Sequence, residues 1–273
     1  MIKKILFWLL AFIITVSAAI FQRMTGPTTP IRGEVVFENQ LAKYKFYRSQ
    51  EGSGNHRVSL LVTDKNITGI LKFKRHKSSD PMTEVKMILQ GDSLYAEFPG
   101  EPPAGKVEYQ VFLSKEDNSI TIPDKPVIIR FKGYVPDLFL LPHIIIMFAA
   151  MLFSAKAGID ALQKNVESKR LKWMVNWTLI FLVLGGLILG PIVQYYAFGV
   201  LWAGFPFGTD LTDNKTLLAL IFWIVAFIAI KREKSIRMWT LIASIVLFLV
   251  YMIPHSLLGS EIDYSKEQTE QQK

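Results

Sequence analysis

Residues 195–215, YYAFGVLWAGFPFGTDLTDNK, separate two long apolar runs and indicate how the rest of the chain is organised. The segment carries no charge before Asp210, yet its glycines and its proline oppose a regular helix. Its aromatic content is typical of a membrane–water boundary. The aromatic residues are Tyr195, Tyr196, Phe198, Trp202, Phe205 and Phe207. We therefore expect an interfacial loop with a membrane-spanning helix on each side.

Composition predicts a mixed protein, part membrane and part soluble. Of the 273 residues, 51% are hydrophobic and 20% are charged, which is too apolar for an ordinary soluble protein. The net charge is +8, but residues 22–135 contain 17 Lys and Arg against 13 Asp and Glu, so much of the remaining positive charge flanks the apolar runs. This distribution predicts membrane topology and no nucleic-acid partner. The chain has no cysteine, which excludes disulfides, thiolate metal sites and cysteine nucleophiles.

Residues 1–23 leave two alternatives open. Two lysines precede about 17 uncharged residues, a run long enough for a membrane anchor. The small residues Ser17, Ala18 and Ala19 would also suit the cleavage region of a signal peptide. Either alternative exports the domain that follows, and the length of the apolar run favours an uncleaved anchor.

A linker at 24–32 precedes a region, 33–135, whose apolar residues alternate with polar ones. Examples are Val58, Leu60 and Val62, and the pair Ile129 and Phe131. Period-two runs bounded by Gly, Pro, Asp and Asn are typical of half-buried antiparallel strands. Seven to nine such strands predict an extracytoplasmic all-β sandwich. Within it, His56 and His76 stand beside arginines and lysines and are expected on a solvated basic edge.

One part of this region is similar to a known class of module. GDSLYAEFP at 91–99, followed by PAGKVEYQV at 103–111, resembles the hairpin of immunoglobulin-like or fibronectin type III-like modules in bacterial exported proteins. The resemblance implies an immunoglobulin-like fold with a binding or packing role. It implies no catalytic residue.

Residues 136–258 predict four transmembrane helices, and 259–273 form a polar tail that we expect to be disordered. The apolar spans lie at 138–154, 173–193, 216–230 and 238–253. The loop after the first span and the loop after the third are rich in lysine and arginine, whereas the 195–215 loop holds one lysine. The positive-inside rule therefore places the N-terminus in the cytoplasm, and the β-domain and C-terminus outside a bacterial inner membrane.

Two local patterns predict structural roles in this membrane part. Gly186 and Gly190 form a G-x-x-x-G sequence, which permits close approach of helices and is expected to serve packing within the chain. Asp213 stands just before an apolar run and is expected to cap that helix at its N-terminus. Asp210 has no such explanation and is the better candidate for function.

The sharpest candidates for chemistry are His143 and His255, because both fall at the predicted outer ends of helices. In one interpretation they bond backbone groups freed by the neighbouring prolines. In a second, His143, His255 and Asp210 or Asp213 bind a transition metal. In a third, the two imidazoles hold haem, with Trp202 beside the ring. Quinone or proton-linked roles complete the alternatives.

These observations favour a non-enzymatic membrane protein that binds a protein partner through its exported domain. The chain contains no P-loop, no G-x-S-x-G and no H-E-x-x-H sequence. A redox or metal-binding protein that uses the two histidines is the alternative. A small-molecule transporter is a third hypothesis, weakened because no Asp, Glu or Arg falls at the centre of a predicted span.

Overall fold

The computed structural model describes residues 2–164, 166–255, 257, 259 and 261–264. The chain divides into two compact units. The helical unit comprises Met1–Pro27 and Val135–Ser260, and the β unit comprises Thr28–Tyr134 and Glu261–Lys273.

The helical unit contains an N-terminal apolar helix and several further apolar helices. They are α1 (Ile2–Thr25), α2 (Asp137–Ala161), α3 (Ser168–Phe181), α4 (Gly190–Phe198), α5 (Leu211–Lys231) and α6 (Ile236–Met252). A π-helical stretch, Leu182–Leu189, joins α3 to α4 into one rod. Four of the described helical rods are long and apolar enough to cross a membrane, and α6 is a shorter apolar helix. The length and composition of these helices are compatible with a membrane protein.

Helix α1 packs into the helical unit along one stripe of small residues. Ala11, Thr15 and Ala18 are buried, and the spacing of three to four residues places them on one face. The ring of Trp8 meets Phe153 of α2 edge to face, with centroids 5.4 Å apart. The large apolar residues on the other faces of α1 stay exposed, as expected of a helix surrounded by lipid.

Three helix boundaries beside the predicted loops differ from the sequence-based expectation. Helix α2 continues through Lys156 and Asp160 to Ala161, although these charges had predicted that the span ends at residue 154. The interfacial loop is also shorter than 195–215, because α4 runs to Phe198 and α5 begins at Leu211. Gly199 ends α4 in the left-handed conformation, at φ 78°, and its N–H bonds Tyr195 O.

The β unit consists of two five-stranded sheets. The strands are β1 (Ile31–Phe37), β2 (Gln40–Phe46), β3 (Ser49–Glu51), β4 (His56–Leu61), β5 (Thr68–Arg75), β6 (Thr83–Lys86), β7 (Ile88–Gln90), β8 (Ser93–Phe98), β9 (Lys106–Lys115) and β10 (Asn118–Lys132). One sheet has the order β1-β2-β4-β8-β7, and the other β3-β10-β9-β5-β6. All described pairings are antiparallel except that of β3 with β10.

Residues of both sheets share one core. Phe46 and Phe98 of the first sheet contact Tyr109 of the second, with ring centroids 5.9 Å and 5.4 Å apart. The strands that resembled a hairpin, β8 and β9, are not paired, because β8 bonds β4 and β7 whereas β9 bonds β5 and β10. The connection at 99–105 therefore carries the chain from one sheet to the other.

The start of the predicted disordered tail is ordered on the β unit. Glu261 forms ion pairs with Lys77 and Lys106, and Ile262 N donates to Ala104 O at 3.3 Å. Tyr264 is 2% exposed and its hydroxyl donates to Glu101 Oε2 at 2.9 Å. Residues 265–273 of the tail lie outside the described residues.

Candidate functional site

Polar side chains collect at both ends of the helical unit. We define the Lys215 end by His143, Asp210, Asp213, Lys215 and His255. We define the Asp160 end by Lys156, Asp160, Gln163 and Arg170. The first set contains the residues singled out from the sequence, and the second set was missed.

At the Lys215 end, Asp210 rather than Asp213 is the N-cap of α5. Asp210 Oδ1 accepts the N–H of Thr212 at 2.8 Å, which satisfies one of the free amides of the first turn. The cap therefore lies three residues before the predicted one, and the helix begins at Leu211. Asp210 therefore has the structural role that had been predicted for Asp213.

Asp213 fastens the interfacial loop instead. Its Oδ2 accepts the N–H of Ala203 at 2.6 Å and the side-chain amide of Gln194 at 3.0 Å. Gly204 lies so close that a Cβ there would come within 2.6 Å of the Cβ of Asp213, so only glycine permits this approach. The predicted cofactor neighbour Trp202 lies in the same loop, where its Nε1 donates to Phe205 O at 3.1 Å.

Lys215 is buried and bonds the backbone at the end of α6. Its Nζ donates to Ile253 O at 2.7 Å, where helix α6 has ended and the carbonyl has no helical partner. Gln22 of α1 donates from Nε2 to Tyr251 O at 2.6 Å. These bonds connect α1, α5 and the end of α6. Gln22, Lys215 and Tyr251 also line a cavity whose empty volume, including the part open to solvent, is about 340 Å³.

The two histidines occupy different surroundings. His143 donates from Nδ1 to Gly185 O, 3.0 Å away, in the π-helical stretch. His255 lies just beyond α6 and lines the same cavity as Lys215 and Gln22. The His143 bond agrees with the interpretation in which a histidine satisfies backbone near a helix irregularity.

A metal site at this end would require His143, His255 and an aspartate within coordinating distance. The described residues, which include all of these side chains, contain no group of three His, Asp or Glu that could hold a metal ion. Asp210 and Asp213 have backbone N–H groups as partners, and the Lys215 ammonium is a near charge that opposes a second cation.

The two glycines of the G-x-x-x-G sequence differ in their contacts. A Cβ on Gly186 would come within 2.8 Å of Thr216 Cγ2 in α5, so this glycine sits at a close helix contact. A Cβ on Gly190 would meet His143 Cε1 at 3.7 Å and Gly185 O at 3.3 Å. Gly185, outside the pattern, makes the closest approach to α2 of the three glycines, because a Cβ there would come within 2.9 Å of Met147 Sδ.

At the Asp160 end, one buried carboxylate receives three side-chain donors. Lys156 Nζ is 2.5 Å and Arg170 Nε is 3.0 Å from Asp160 Oδ2, and Gln163 Nε2 donates to Oδ1 at 2.7 Å. Lys156 and Asp160 are both fully buried. The ring of Trp8 in α1 also faces Lys156 Nζ, 5.5 Å from the ring centroid. The sequence pattern could have indicated this pair, since Lys156 and Asp160 are spaced i, i+4 on a helix.

A basic cleft opens beside this cluster. It is lined by Lys3, Lys4, Phe7, Gln163, Lys164, Val166, Glu167 and Arg170. The cleft therefore brings the start of α1 together with the connection from α2 to α3, two regions that are distant in sequence. Only Arg170 of its four basic residues has an ion pair among the described residues.

In the β unit, His56 is not on a solvated edge. It is 5% exposed and lies among the rings of Tyr47, Phe98 and Tyr109, with Nδ1 bonded to the side-chain oxygen of Gln50. Burial lowers the pKa of His56 to about 4, because the charged form loses its hydration. His76 bonds Glu108 Oε2 at 2.9 Å.

No protein-family model matches this chain, and a search of the curated proteins gave no match.

Proposed function

We propose that this chain is a multi-pass protein of a bacterial inner membrane that presents an immunoglobulin-like β unit outside the cytoplasm to bind a protein partner. The single observation that carries the proposal is the contrast between the two solvent-facing sides of the β unit. One side has its charges paired within the chain. The other combines a row of exposed apolar residues with Arg57, whose described partners are an amide and a tyrosine ring, and carries one exposed cross-strand ion pair, Lys43–Glu34 at 2.8 Å.

The paired side belongs to the sheet that contains β5 and β9. Lys72 bonds Glu84 at 2.6 Å, and Lys74 lies 3.4 Å from Glu108, which also bonds His76. Because these charges are already paired within the chain, this side offers few unpaired charges to a protein partner.

The open side, which we call the open face, belongs to the sheet that contains β2 and β4. Its exposed apolar residues are Val36, Leu41, Leu61 and Ile88. In the strand register Val36 faces Leu41, and Leu61 faces Lys43. Arg57 lies over the ring of Tyr95, at 3.7 Å, and donates to Gln90 rather than to a carboxylate. Apolar residues with an arginine and a tyrosine are the composition enriched in protein interfaces.

The topology supports exposure of the β unit on one side of the membrane. Short connections join α1 to β1 and β10 to α2, and the residues after α6 return to the β unit through Glu261 and Tyr264. The basic connections at 162–167 and 232–235 fall at the opposite helix ends, where the positive-inside rule predicts the cytoplasm.

Site-specific photo-crosslinking tests the binding role. A photoreactive residue at Leu61 on the open face should give a discrete higher-mass adduct in native membranes, and one at the half-buried Phe112 on the paired side should give none. Charge reversal at the neighbouring Lys43 should reduce the Leu61 adduct several-fold. Equal labelling from both positions, or no adduct from Leu61, would contradict the proposed role.

A second candidate function is movement of a small polar solute or of protons through the helical unit. The observation that favours it is the fully buried Lys156–Asp160 pair inside α2, because ionisable residues within spans often mark transport paths. Flux into liposomes that contain the purified protein should then fall at least tenfold in Asp160→Asn. Unchanged flux in that variant would exclude a path that uses the pair.

A further inference from the structure

The basic cleft at the Asp160 end has a composition that no structural role yet explains. Its empty volume, including the part open to solvent, is about 1050 Å³, and its lining contains four basic side chains and one acidic side chain. Lys3, Lys4 and Lys164 have no ion-pair partner among the residues that the structure describes. Like charges that converge without counterions raise the local potential and favour an anion.

Arg170 is the preorganised member of the cleft. Its Nε is held 3.0 Å from Asp160 Oδ2, and that carboxylate is itself fixed by Lys156 and Gln163. The guanidinium has further N–H groups, since arginine carries five in a planar fork that suits phosphate oxygens. A ligand oxygen would therefore meet one rigid donor and several flexible lysine ammonium groups.

The apolar surroundings of the cleft distinguish a lipid from a free ion. Phe7 and Val166 contribute to the lining. On the same side of α1 as Lys3 and Phe7, the helix presents exposed Leu6 and Leu10, which lie in the path of an acyl chain that extends from the cleft along α1. An acyl chain can cover these residues while its headgroup reaches the lysines, because Lys3, Phe7 and Leu10 follow one another along one face of α1 at spacings of four and three residues.

We propose that this cleft binds the phosphodiester headgroup of an anionic phospholipid. Lys3, Lys164 and Arg170 contact the phosphate, and an acyl chain lies along α1. The inference rests on the proposed insertion of the helices in a membrane, but it is independent of any protein partner of the β unit. Basic clefts between helices at the cytoplasmic surface are suited to anionic headgroups by the same electrostatics.

The test uses the full chain purified in a zwitterionic detergent, with bound lipid measured by native mass spectrometry. The probes are phosphatidylglycerol, phosphatidylcholine with the same acyl chains, and inorganic phosphate. Phosphatidylglycerol should bind at least tenfold more tightly than phosphatidylcholine, and millimolar inorganic phosphate should not displace it. Equal binding of the two lipids would overturn the proposal, and displacement by phosphate would replace the lipid with a free anion.

Matched variants separate the cleft from general positive charge. Lys3→Gln combined with Lys164→Gln should weaken phosphatidylglycerol binding about 25-fold, from roughly fivefold for each lysine. Lys169→Gln combined with Lys234→Gln removes the same charge from exposed positions outside the cleft and should change binding less than threefold. Equal effects of the two pairs would overturn a specific site. Carbonate extraction of the same variants tests membrane insertion separately, so that failure of the two proposals can be told apart.

Discussion

At the Lys215 end of the helical unit, buried polar side chains bond mainly to the backbone, whereas at the Asp160 end they bond mainly to one another. Asp213 holds Ala203 N, Lys215 holds Ile253 O and His143 holds Gly185 O. Asp160, by contrast, receives Lys156, Gln163 and Arg170. A side chain that bonds to a backbone group can be replaced by another donor or acceptor of similar length. A buried charged side chain that is paired with another buried charge cannot be replaced in this way, because its partner would be left unpaired.

The largest effect is expected from Asp160→Leu. It leaves the fully buried Lys156 without a counterion, and breaking a buried pair in this way costs about 3–5 kcal/mol. We expect a correspondingly lower free energy of unfolding in a denaturant titration of the detergent-solubilised protein. Glu167→Gln, at an exposed position in the next connection, is the matched control and should change stability little.

The double variant Lys156→Met with Asp160→Leu separates charge pairing from packing. It removes both charges and should recover most of the stability lost in the single variant, because no unpaired charge remains. If the double variant were as unstable as Asp160→Leu, the pairing account of the Asp160 end would be wrong.

The β unit offers an intermediate case, a buried titratable ring whose side-chain partner is neutral. Since burial lowers the pKa of His56 from about 6.5 to about 4, the unfolded state takes up a proton before the folded state does. The stability associated with neutral His56 is therefore present above pH 6.5 and is lost as pH falls towards 4. The loss at pH 5 should be about 2 kcal/mol.

His56→Phe provides the comparison for this pH dependence. Phenylalanine suits the surrounding rings of Phe98 and Tyr109, and the half-buried Gln50 can reach water after losing its partner. The measurement is the midpoint of unfolding of the β-unit transition between pH 7.5 and pH 5. In the parent chain this midpoint should fall as the pH is lowered, and in His56→Phe it should fall less. If the midpoint fell equally in both proteins, groups other than His56 would cause the acid sensitivity.

A smaller effect is expected from Asp213→Asn at the Lys215 end. The amide keeps an oxygen for Ala203 N but loses the charge-assisted bond, which should cost about 1 kcal/mol. Limited proteolysis at 199–210 should become faster, because this contact fastens the loop. Asp210→Asn, which retains an N-cap acceptor, should differ little from the parent chain. A loss as large as that of Asp160→Leu would remove the distinction between the two ends.

The smallest effect is expected from His143→Gln. The glutamine amide can still donate to Gly185 O, so the free energy of unfolding should fall by less than about 1 kcal/mol. An absorption spectrum and elemental analysis of the parent and the variant test the haem and metal alternatives at the same time. A Soret band or stoichiometric metal that disappears in the variant would show that His143 is a ligand rather than a backbone partner.

The coarse architecture could be predicted from the sequence because it depends on long patterns. Period-two alternation indicated the two-sheet β region, and uncharged runs indicated the apolar helices. The end of α2 could not be located in this way, since hydropathy treats Lys156 and Asp160 as loop residues. Their burial depends on a partner one turn away and on Trp8 of another helix.

The candidate sites show the same limit. The pattern around Asp210 and Asp213 correctly indicated a helix start, but which aspartate caps depends on where the loop backbone bends. His56 looked solvated because its sequence neighbours are basic, and only the pairing of β4 with β8 turns its side chain into the core. Lys3 and Lys164 line one cleft although they are far apart in the sequence, so no pattern within a short segment could have indicated that they lie together.

The most direct test of the central claim, an exported β unit on a multi-pass membrane protein, is cysteine accessibility. The natural chain has no cysteine, so single cysteines at Asn118, Phe207 and Glu167 report one exposed position each. With a membrane-impermeant maleimide, Asn118→Cys and Phe207→Cys should be labelled in intact spheroplasts, and Glu167→Cys only after permeabilisation. Labelling of Glu167→Cys in intact spheroplasts, or protection of Asn118→Cys, would contradict the proposed orientation.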